Sequence, residues 1–427
     1  MSSIGVVGAG YVGLTTAACL AHLGHDVVCG DLDADRVCRL NEGKLPFKEA
    51  GLDELIVEGL RSGHLRFVVG AAAAVAEFVF LCVQTPQGPD GRPDVAAIEI
   101  AVREIAPLLA PDSVVVNKST APVGTTERIE RILCEAGAVA DVRVVANPEF
   151  LREGTAVCDF LHPSRVIVGT KSTAVGLRIS DLYRGVQAPV LVTTPVAAEM
   201  IKYASNAFLA TKVSFVNDIA NLCESVDADI GDVVLGMGYE PRIGAEYLAP
   251  GPGWGGSCFP KDTAALLNFA DEVGYDFALL RGAVTSNDQQ RERMAAKVRD
   301  VCGGTLAGAR VAIWGLTFKA NTDDLRDSPA VEIVAILAEE GAILRAYDPA
   351  AGEAASDLPG VEVVADPYEA CIDADVLVVL TEWDEFLGLD FERVAASMQS
   401  AEVVDTRNLL DPAAMRRIGF GYRGVGR

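Results

Sequence analysis

Hydrophobic positions along the chain follow two periods, and the switches between them divide it into three segments. In the first, "SIGVVGAGYVGLTTAACLAHLGHDVVCGDLD" opens with a short apolar run, breaks at glycines and resumes with helical spacing. Ala17, Leu20, Ala21 and Leu23 can share one side of that helix, Gly24 is placed to cap its C-terminus, and "DVVCGD" reads as a second strand. Strand-like runs follow at "FVFLCVQTP", "SVVVNKST" and "VRVVANPEF". Strands alternating with helices predict a parallel, doubly wound α/β sheet.

The pattern changes after Pro195. "VAAEMIKYASNAFLATKVSFVNDIANLCESV" keeps helical spacing for about thirty residues without Gly or Pro, the length of a helix that packs between domains or subunits. Helical character continues to about residue 300, broken by the glycine-rich "GPGWGGSCFPKD". "GARVAIWGLTFKANTDDLRDS" then restarts a strand–loop–helix pattern, with later strands at "ADVLVVLTEW" and "AEVVDTRNLL". The expected division is 1–195, 196–300 and 301–427: an α/β domain, a helical domain and a second α/β domain.

The chain has 427 residues, more than one core normally supports. Lys and Arg number 36 against 60 Asp and Glu, a net charge of −24, which argues against nucleic acid or an anionic membrane as partner. An anionic substrate must therefore be met by a few local cations. The ten cysteines are scattered, and Cys19/Cys29 and Cys29/Cys38 lack metal-ligand spacing, so neither a disulfide framework nor a metal site is expected. No apolar run is long enough to span a bilayer, and "MSSIGVVGAGYVG" carries no basic leader. A cytoplasmic protein is expected.

Gly8, Gly10 and Gly13 form G-x-G-x-x-G between a strand and a helix, the turn that lets backbone approach a pyrophosphate. Asp31 ends the second strand where a ribose hydroxyl acceptor belongs, favouring NAD over NADP, although Arg36 stands near. Glu149 and Glu153 follow a strand end, where ligands bind in such sheets, but two carboxylates four apart also suit a helix N-terminal turn. Ser119 and Thr120 share that ambiguity. Lys202 and Asn206 lie on one face of the long helix, either in a site or in solvent. Cys258 precedes a helix whose first turn holds Pro260, with Lys261 close by, on a glycine-rich approach that reads as flexible. A helix N-terminus and a cation both favour a nucleophilic thiolate.

With "GAGYVG", "KSTAPVGT", "NPEFLREG", "IKYASNAF", "GWGGSCFPKD" and "GLTFKANTDDLRDS" in this order, the chain resembles the nucleotide-sugar dehydrogenases over essentially its whole length. The likeness runs strongest to members acting on UDP-glucose, and implies two Rossmann-like domains joined by a long central helix that also forms a homodimer. It implies four-electron oxidation of a sugar alcohol to a carboxylate with two NAD⁺, through a thioester on Cys258. Lys202 and Asn206 would hold the reacting oxygen, Asp262 would support the water and proton network, and Thr120 and Glu149 would position or activate water. Gly8, Gly10, Tyr11, Val12, Gly13, Asp31, Arg36, Thr85, Ser119, Glu153, Lys261 and Arg326 would meet NAD. Phe150, Leu151, Arg242, Tyr247, Gly255, Lys319 and Arg407 would meet the nucleotide sugar, Arg242 from the partner subunit. Asn117 stands where many relatives have an acidic residue. UDP-glucose rather than a GDP-mannose or UDP-N-acetylhexosamine substrate rests on resemblance alone. A single-step hydroxyacid dehydrogenase would need no Cys258, and a non-catalytic nucleotide-sugar sensor would leave Cys258, Lys202 and Asp262 idle.

Overall fold

Strand direction in the first sheet departs from the expected pattern at one edge. A computed structural model describes residues 1–88, 91–139 and 141–427, and the chain divides into two compact units, Met1–Ser205 and Asn206–Arg427. In the first unit, β1 (Ser3–Val7), β2 (Asp26–Asp31), β3 (Leu65–Val69), β4 (Phe78–Leu81), β5 (Val114–Asn117), β6 (Arg143–Ala146), β7 (Val166–Gly169) and β8 (Val190–Thr193) form one sheet. Their order is β3-β2-β1-β4-β5-β6-β7-β8. The first six strands are parallel, as expected. β7 meets β6 antiparallel at one bridge, Ala146 to Gly169, and β8 follows β7, so these two run against the rest. Four-residue apolar runs carry no signal of direction, which is why the pattern could not foretell this.

Strands β4, β5 and β7 are buried along their whole length, as central strands covered on both faces are. The helix after β1, Tyr11–His22, ends one residue earlier than expected. Leu23 is its cap, and Gly24, at φ 90°, is the left-handed residue beyond, donating its N–H to Ala21 O at 2.9 Å.

The second unit contains β9 (Arg310–Trp314), β10 (Ile343–Tyr347), β11 (Val361–Val363), β12 (Val376–Val379), β13 (Glu402–Asp405) and β14 (Gly421–Arg423). Their order is β11-β10-β9-β12-β13-β14, all parallel. Each sheet reverses its strand order once, between β1 and β4 and between β9 and β12, where open α/β sheets form ligand crevices. The long helix runs Pro195–Val226, 32 residues, or about 48 Å. Helices Phe259–Glu272 and Ala278–Val301 complete the helical stretch. Among the described residues, no helix is long and apolar enough to cross a membrane.

Candidate active site

At the β1–helix turn, Gly8 takes φ 100°, and a Cβ there would lie 2.7 Å from Cys82 O. At Gly13 it would lie 1.8 Å from Gly8 O, so helix and turn pack too closely for any side chain. A Cβ on Gly10, by contrast, would meet nothing within 4 Å. Gly10 is the N-cap of the first helix and has no side chain to satisfy the first N–H groups. That open, donor-rich end suits an anion such as a pyrophosphate. Val12 packs on the core beside it.

Asp31 ends β2 as expected, accepting from Ala9 N at 2.8 Å and Asp33 N at 3.0 Å, with Arg36 Nη1 at 3.4 Å from Oδ2. With these three donors the carboxylate keeps one of its four lone-pair sites for a ribose hydroxyl. The residues present therefore fit a dinucleotide. Tyr11, the first residue of the first helix, has its hydroxyl held within the protein. Its hydroxyl donates to Glu49, and Gly154 N donates to it at 3.2 Å. Glu49, buried, also accepts from Gly154 N at 2.6 Å and Ala156 N at 2.8 Å. Burial, then Glu49, pushes the Tyr11 hydroxyl well above its ordinary pKa. This network ties the first helix to the segment after β6, and the sequence offered no sign of Glu49 because its partners lie 105 and 107 residues away.

Residues 147–155 are not helical, since the next helix begins at Ala156. The helix-turn reading of Glu149 and Glu153 is thus set aside. Glu153 is half-buried in that segment, while Glu149 is buried and accepts from Lys202 Nζ at 2.9 Å and Leu151 N at 2.6 Å. Burial is the largest single effect and would raise the Glu149 pKa; the Lys202 ammonium and its hydrogen bond, with the Leu151 N–H and the Lys118 charge, together outweigh it and hold the carboxyl below its ordinary 4.5. Lys202, also buried, stands 5.4 Å from the Phe150 ring centroid, with the Arg165 guanidinium on that ring at 3.6 Å. The solvated reading of Lys202 fails.

Thr85 and Ser119 brace the β5 loop: Thr85 donates to Thr120 O at 2.6 Å and Ser119 to Val83 O at 2.7 Å. Thr120, Ser119, Asn117 and Lys202 line one pocket together with Ala121, Ala146, Pro148 and Glu199. Two further buried groups here had no signal in the pattern. Glu199 accepts from Gly124 N at 2.6 Å, Thr126 N at 2.8 Å and Thr126 Oγ1 at 2.7 Å, bonding the N-terminus of the Thr125–Glu135 helix. Lys118 holds Asn147 Oδ1 at 3.3 Å and Tyr183 Oη at 3.4 Å.

In the second unit, Cys258 is the N-cap of the Phe259–Glu272 helix, with its sulfur 3.7 Å from Ser257 Oγ. Pro260 stands at the second helical position, in the first turn as expected. Asp262 is fully buried and accepts from Asn206 Nδ2 and from Lys261 Nζ, each at 2.6 Å. Lys261 is thus ion-paired with Asp262. Asn206 is buried one turn beyond Lys202 on the long helix.

The glycine-rich approach is not flexible. Buried Asn287 accepts from Trp254 N at 2.7 Å and donates to Trp254 O at 3.0 Å. Asn217 accepts from Gly251 N at 2.8 Å, and Gln290 donates to Gly251 O at 2.9 Å. Gly253, at φ 117°, would place a Cβ 2.8 Å from Asn287 Oδ1, and Gly255 one 1.9 Å from Asp327 O. The glycines serve close approach of backbone to neighbouring atoms, not mobility. Just before them Tyr247 takes φ 62°, the left-handed region, its ring 6.3 Å from Phe259. Arg407 donates to Leu380 O at 2.8 Å and Phe318 O at 2.9 Å, and Lys319 lies 5.4 Å from the Phe318 ring. Arg242 and Arg326 are exposed; Arg242 pairs with Glu240 at 2.8 Å and Arg326 with Asp324 at 2.6 Å. Among the described residues, no group of three or more His, Cys, Asp or Glu is arranged to hold a metal ion.

Three family models match the chain. The NAD binding domain of the UDP-glucose/GDP-mannose dehydrogenase family matches residues 2–187, its central domain 196–289 and its UDP binding domain 312–412. The chain is 45% identical over 433 residues to the UDP-glucose 6-dehydrogenase of Rhizobium meliloti (strain 1021), covering 99% of each. It is 42% identical to that of Pseudomonas aeruginosa, covering 99% of this chain and 97% of the other. Among solved structures, a UDP-glucose dehydrogenase from Pyrobaculum islandicum superposes with TM-score 0.92 at 36% identity, over 100% of this chain and 98% of that one. A UDP-D-ManNAc dehydrogenase from Pyrococcus horikoshii gives 0.88 at 29%, over 99% of each.

Proposed function

This chain belongs to the UDP-glucose/GDP-mannose dehydrogenase family and uses NAD, and we propose that it oxidises UDP-glucose to UDP-glucuronate in two hydride transfers through a covalent adduct on Cys258. One observation carries the reading: the long helix presents buried Lys202, paired with Glu149, and, one turn on, buried Asn206, paired with Asp262. Polar groups held this way inside protein are pre-set for a reacting oxygen, each such donor being worth roughly 3–4 kcal/mol to a developing oxyanion.

NAD⁺, when bound, would supply the hydride acceptor for each oxidation. The first converts the C6 alcohol to an aldehyde, which has no hydroxyl from which a second oxidation can start. Attack by the Cys258 thiolate forms a thiohemiacetal, and Lys202 and Asn206 hold its oxygen. Oxidation of that adduct leaves a thioester, which water cleaves to the carboxylate and the free thiol. Thr120 and Glu149 position that water, and Asp262 receives its hydrogen bonds. Gly8, Gly10, Gly13, Asp31, Thr85, Ser119 and Glu153 hold the dinucleotide. Lys319, Arg407, Tyr247 and the backbone to Gly255 hold the nucleotide sugar, Phe150 and Leu151 flanking it, with Arg242 supplied by the partner subunit.

The assignment of 1–195 to NAD, 196–300 to dimer formation and 301–427 to the nucleotide sugar goes with this. The long helix exposes Phe208, Phe215 and Leu222 at seven-residue spacing, an apolar stripe that a second copy would cover. The test is stoichiometry across a panel of nucleotide sugars. Two NADH per UDP-glucose, with no free aldehyde, is expected. One NADH per sugar refutes the covalent route, and faster turnover of a GDP-mannose or UDP-N-acetylhexosamine corrects the substrate.

A further inference from the structure

The pocket behind Lys202 holds more polar chemistry than the proposed reaction uses. Its lining residues come from the end of β5, the loop after it, the end of β6 and the start of the long helix. Asn117, the last residue of β5, is 3% exposed, and its side-chain oxygen has no hydrogen-bond partner among the described residues. A buried amide oxygen left this way normally binds an ordered water. Glu199 is 5% exposed and three residues before Lys202 on the same helix. Its three bonds, from Gly124 N, Thr126 N and Thr126 Oγ1, leave one of a carboxylate's four lone-pair sites. We propose that this pocket is a water site bridging Lys202 to Glu199, with Asn117 Oδ1 fixing the water, and that Glu199 takes up the proton Lys202 must shed.

The inference rests on the dehydrogenase reading above, in which each oxidation frees one proton inside protein. The Lys202 ammonium gives a proton to the water, the water gives one to Glu199, and the pair becomes an amine and a carboxylic acid. The amine then takes the proton of the C6 hydroxyl as the hydride leaves for NAD⁺, and Lys202 is an ammonium again; Glu199 gives its proton up to solvent before the second oxidation, which resets the relay. The groups around this relay are Glu149, paired with Lys202, the Lys118 ammonium acting on Glu149, and Glu127 acting on Glu199. Burial raises the Glu199 pKa above 4.5 despite the bonds from Thr126 and Gly124, so the group is readier to hold a proton than an exposed glutamate.

The test uses the intact enzyme and two variants, Glu199→Gln and Asn117→Leu. Two NADH per sugar in the wild type is established first; failure there sinks the dehydrogenase reading and not the water site. Without Glu199 the carboxylate left beside Lys202 is Glu149, whose lowered pKa makes it a poor proton acceptor, so Lys202 must lose its proton to bulk water. The acid limb of the kcat profile should then move up by about one pH unit, kcat at neutral pH should fall at least about tenfold, and both KM values should stay within about twofold. A high-resolution crystal structure of the ligand-free wild type should show a water within hydrogen-bonding distance of Asn117 Oδ1, absent in Asn117→Leu. Glu199→Gln also alters a helix-end contact, but Asn117→Leu leaves that contact intact. An empty wild-type pocket, or variants that lose only melting temperature while keeping the wild-type pH profile, overturns the proposal.

Discussion

Replacing Lys202 by Met should make stability depend on pH with the opposite sign to the wild type. In the wild type, Glu149 sits below its ordinary pKa of 4.5 because the Lys202 ammonium and its hydrogen bond, with the Leu151 N–H and the Lys118 charge, together outweigh burial. A lowered folded-state pKa contributes stability above pH 4.5 that is lost as pH falls through the folded value. In Lys202→Met the burial effect is left with the Leu151 N–H, 2.6 Å away, and the field of Lys118 against it. The carboxyl pKa then rises, and the folded form is penalised wherever the carboxylate must stay ionised. Stranding one member of a buried pair costs about 3–5 kcal/mol. For a unit the size of Met1–Ser205 each kcal/mol shifts melting by roughly 2–4 °C, so a fall of about 6–20 °C is expected at pH 8. Near pH 5 the fall should shrink, because a protonated carboxyl carries no penalty. Thermal melts of the intact protein at the two pH values, with circular dichroism as the signal, measure this. The double variant Lys202→Met, Glu149→Gln removes both charges and should recover most of the loss. Equal destabilisation at both pH values, or no recovery in the double variant, refutes the reasoning.

Three further outcomes are expected. NAD⁺ should outperform NADP⁺ in kcat/KM, because a 2′-phosphate would meet Asp31; Asp31→Asn should narrow the gap, and equal use of both cofactors by the wild type would remove Asp31 from the ribose site. Asn287→Ala should cost about 2–5 kcal/mol in denaturant unfolding, because two buried main-chain groups of Trp254 lose their partner; amide exchange at Trp254 should quicken, and unchanged exchange would show the glycine stretch is held by other contacts. Cys258 should alkylate faster than Cys19, Cys82 and Cys371, whose thiols burial pushes up to about 12. Bound nucleotide sugar should slow it, and Cys258→Ala should fail to complete the second oxidation; full turnover by that variant would return Cys258 to a structural role.

Local patterns were enough for most of the architecture. "DVVCGD" became β2 without adjustment, the long helix runs within a residue of the stretch free of Gly and Pro, and Asp31 stands at the strand end the glycine motif demands. These depend on neighbours in sequence, through the periods of strand and helix. The opposite direction of β7 and β8 was beyond that kind of reading, because an apolar run of four looks the same either way along the sheet.

Chemistry divided along the same line. Residue type and spacing marked Cys258, and Lys202 with Asn206, as candidates, and the family resemblance added Asp262 and joined them. Which group neutralises which was decided only by the tertiary structure. Lys261 is bound to Asp262; Glu149 could have opened a helix and instead holds Lys202. The glycines around Cys258 looked permissive, yet Asn217, Asn287 and Gln290 from distant helices fix them in place. Glu49, Glu199 and Asn117 acquire meaning only from burial. A polar side chain in water is one among many in an acidic chain, and the same side chain removed from water must find a partner. The sequence by itself determined the elements and the reactive groups they carry; the tertiary structure decided the pairings, because burial depends on what folding brings near from afar.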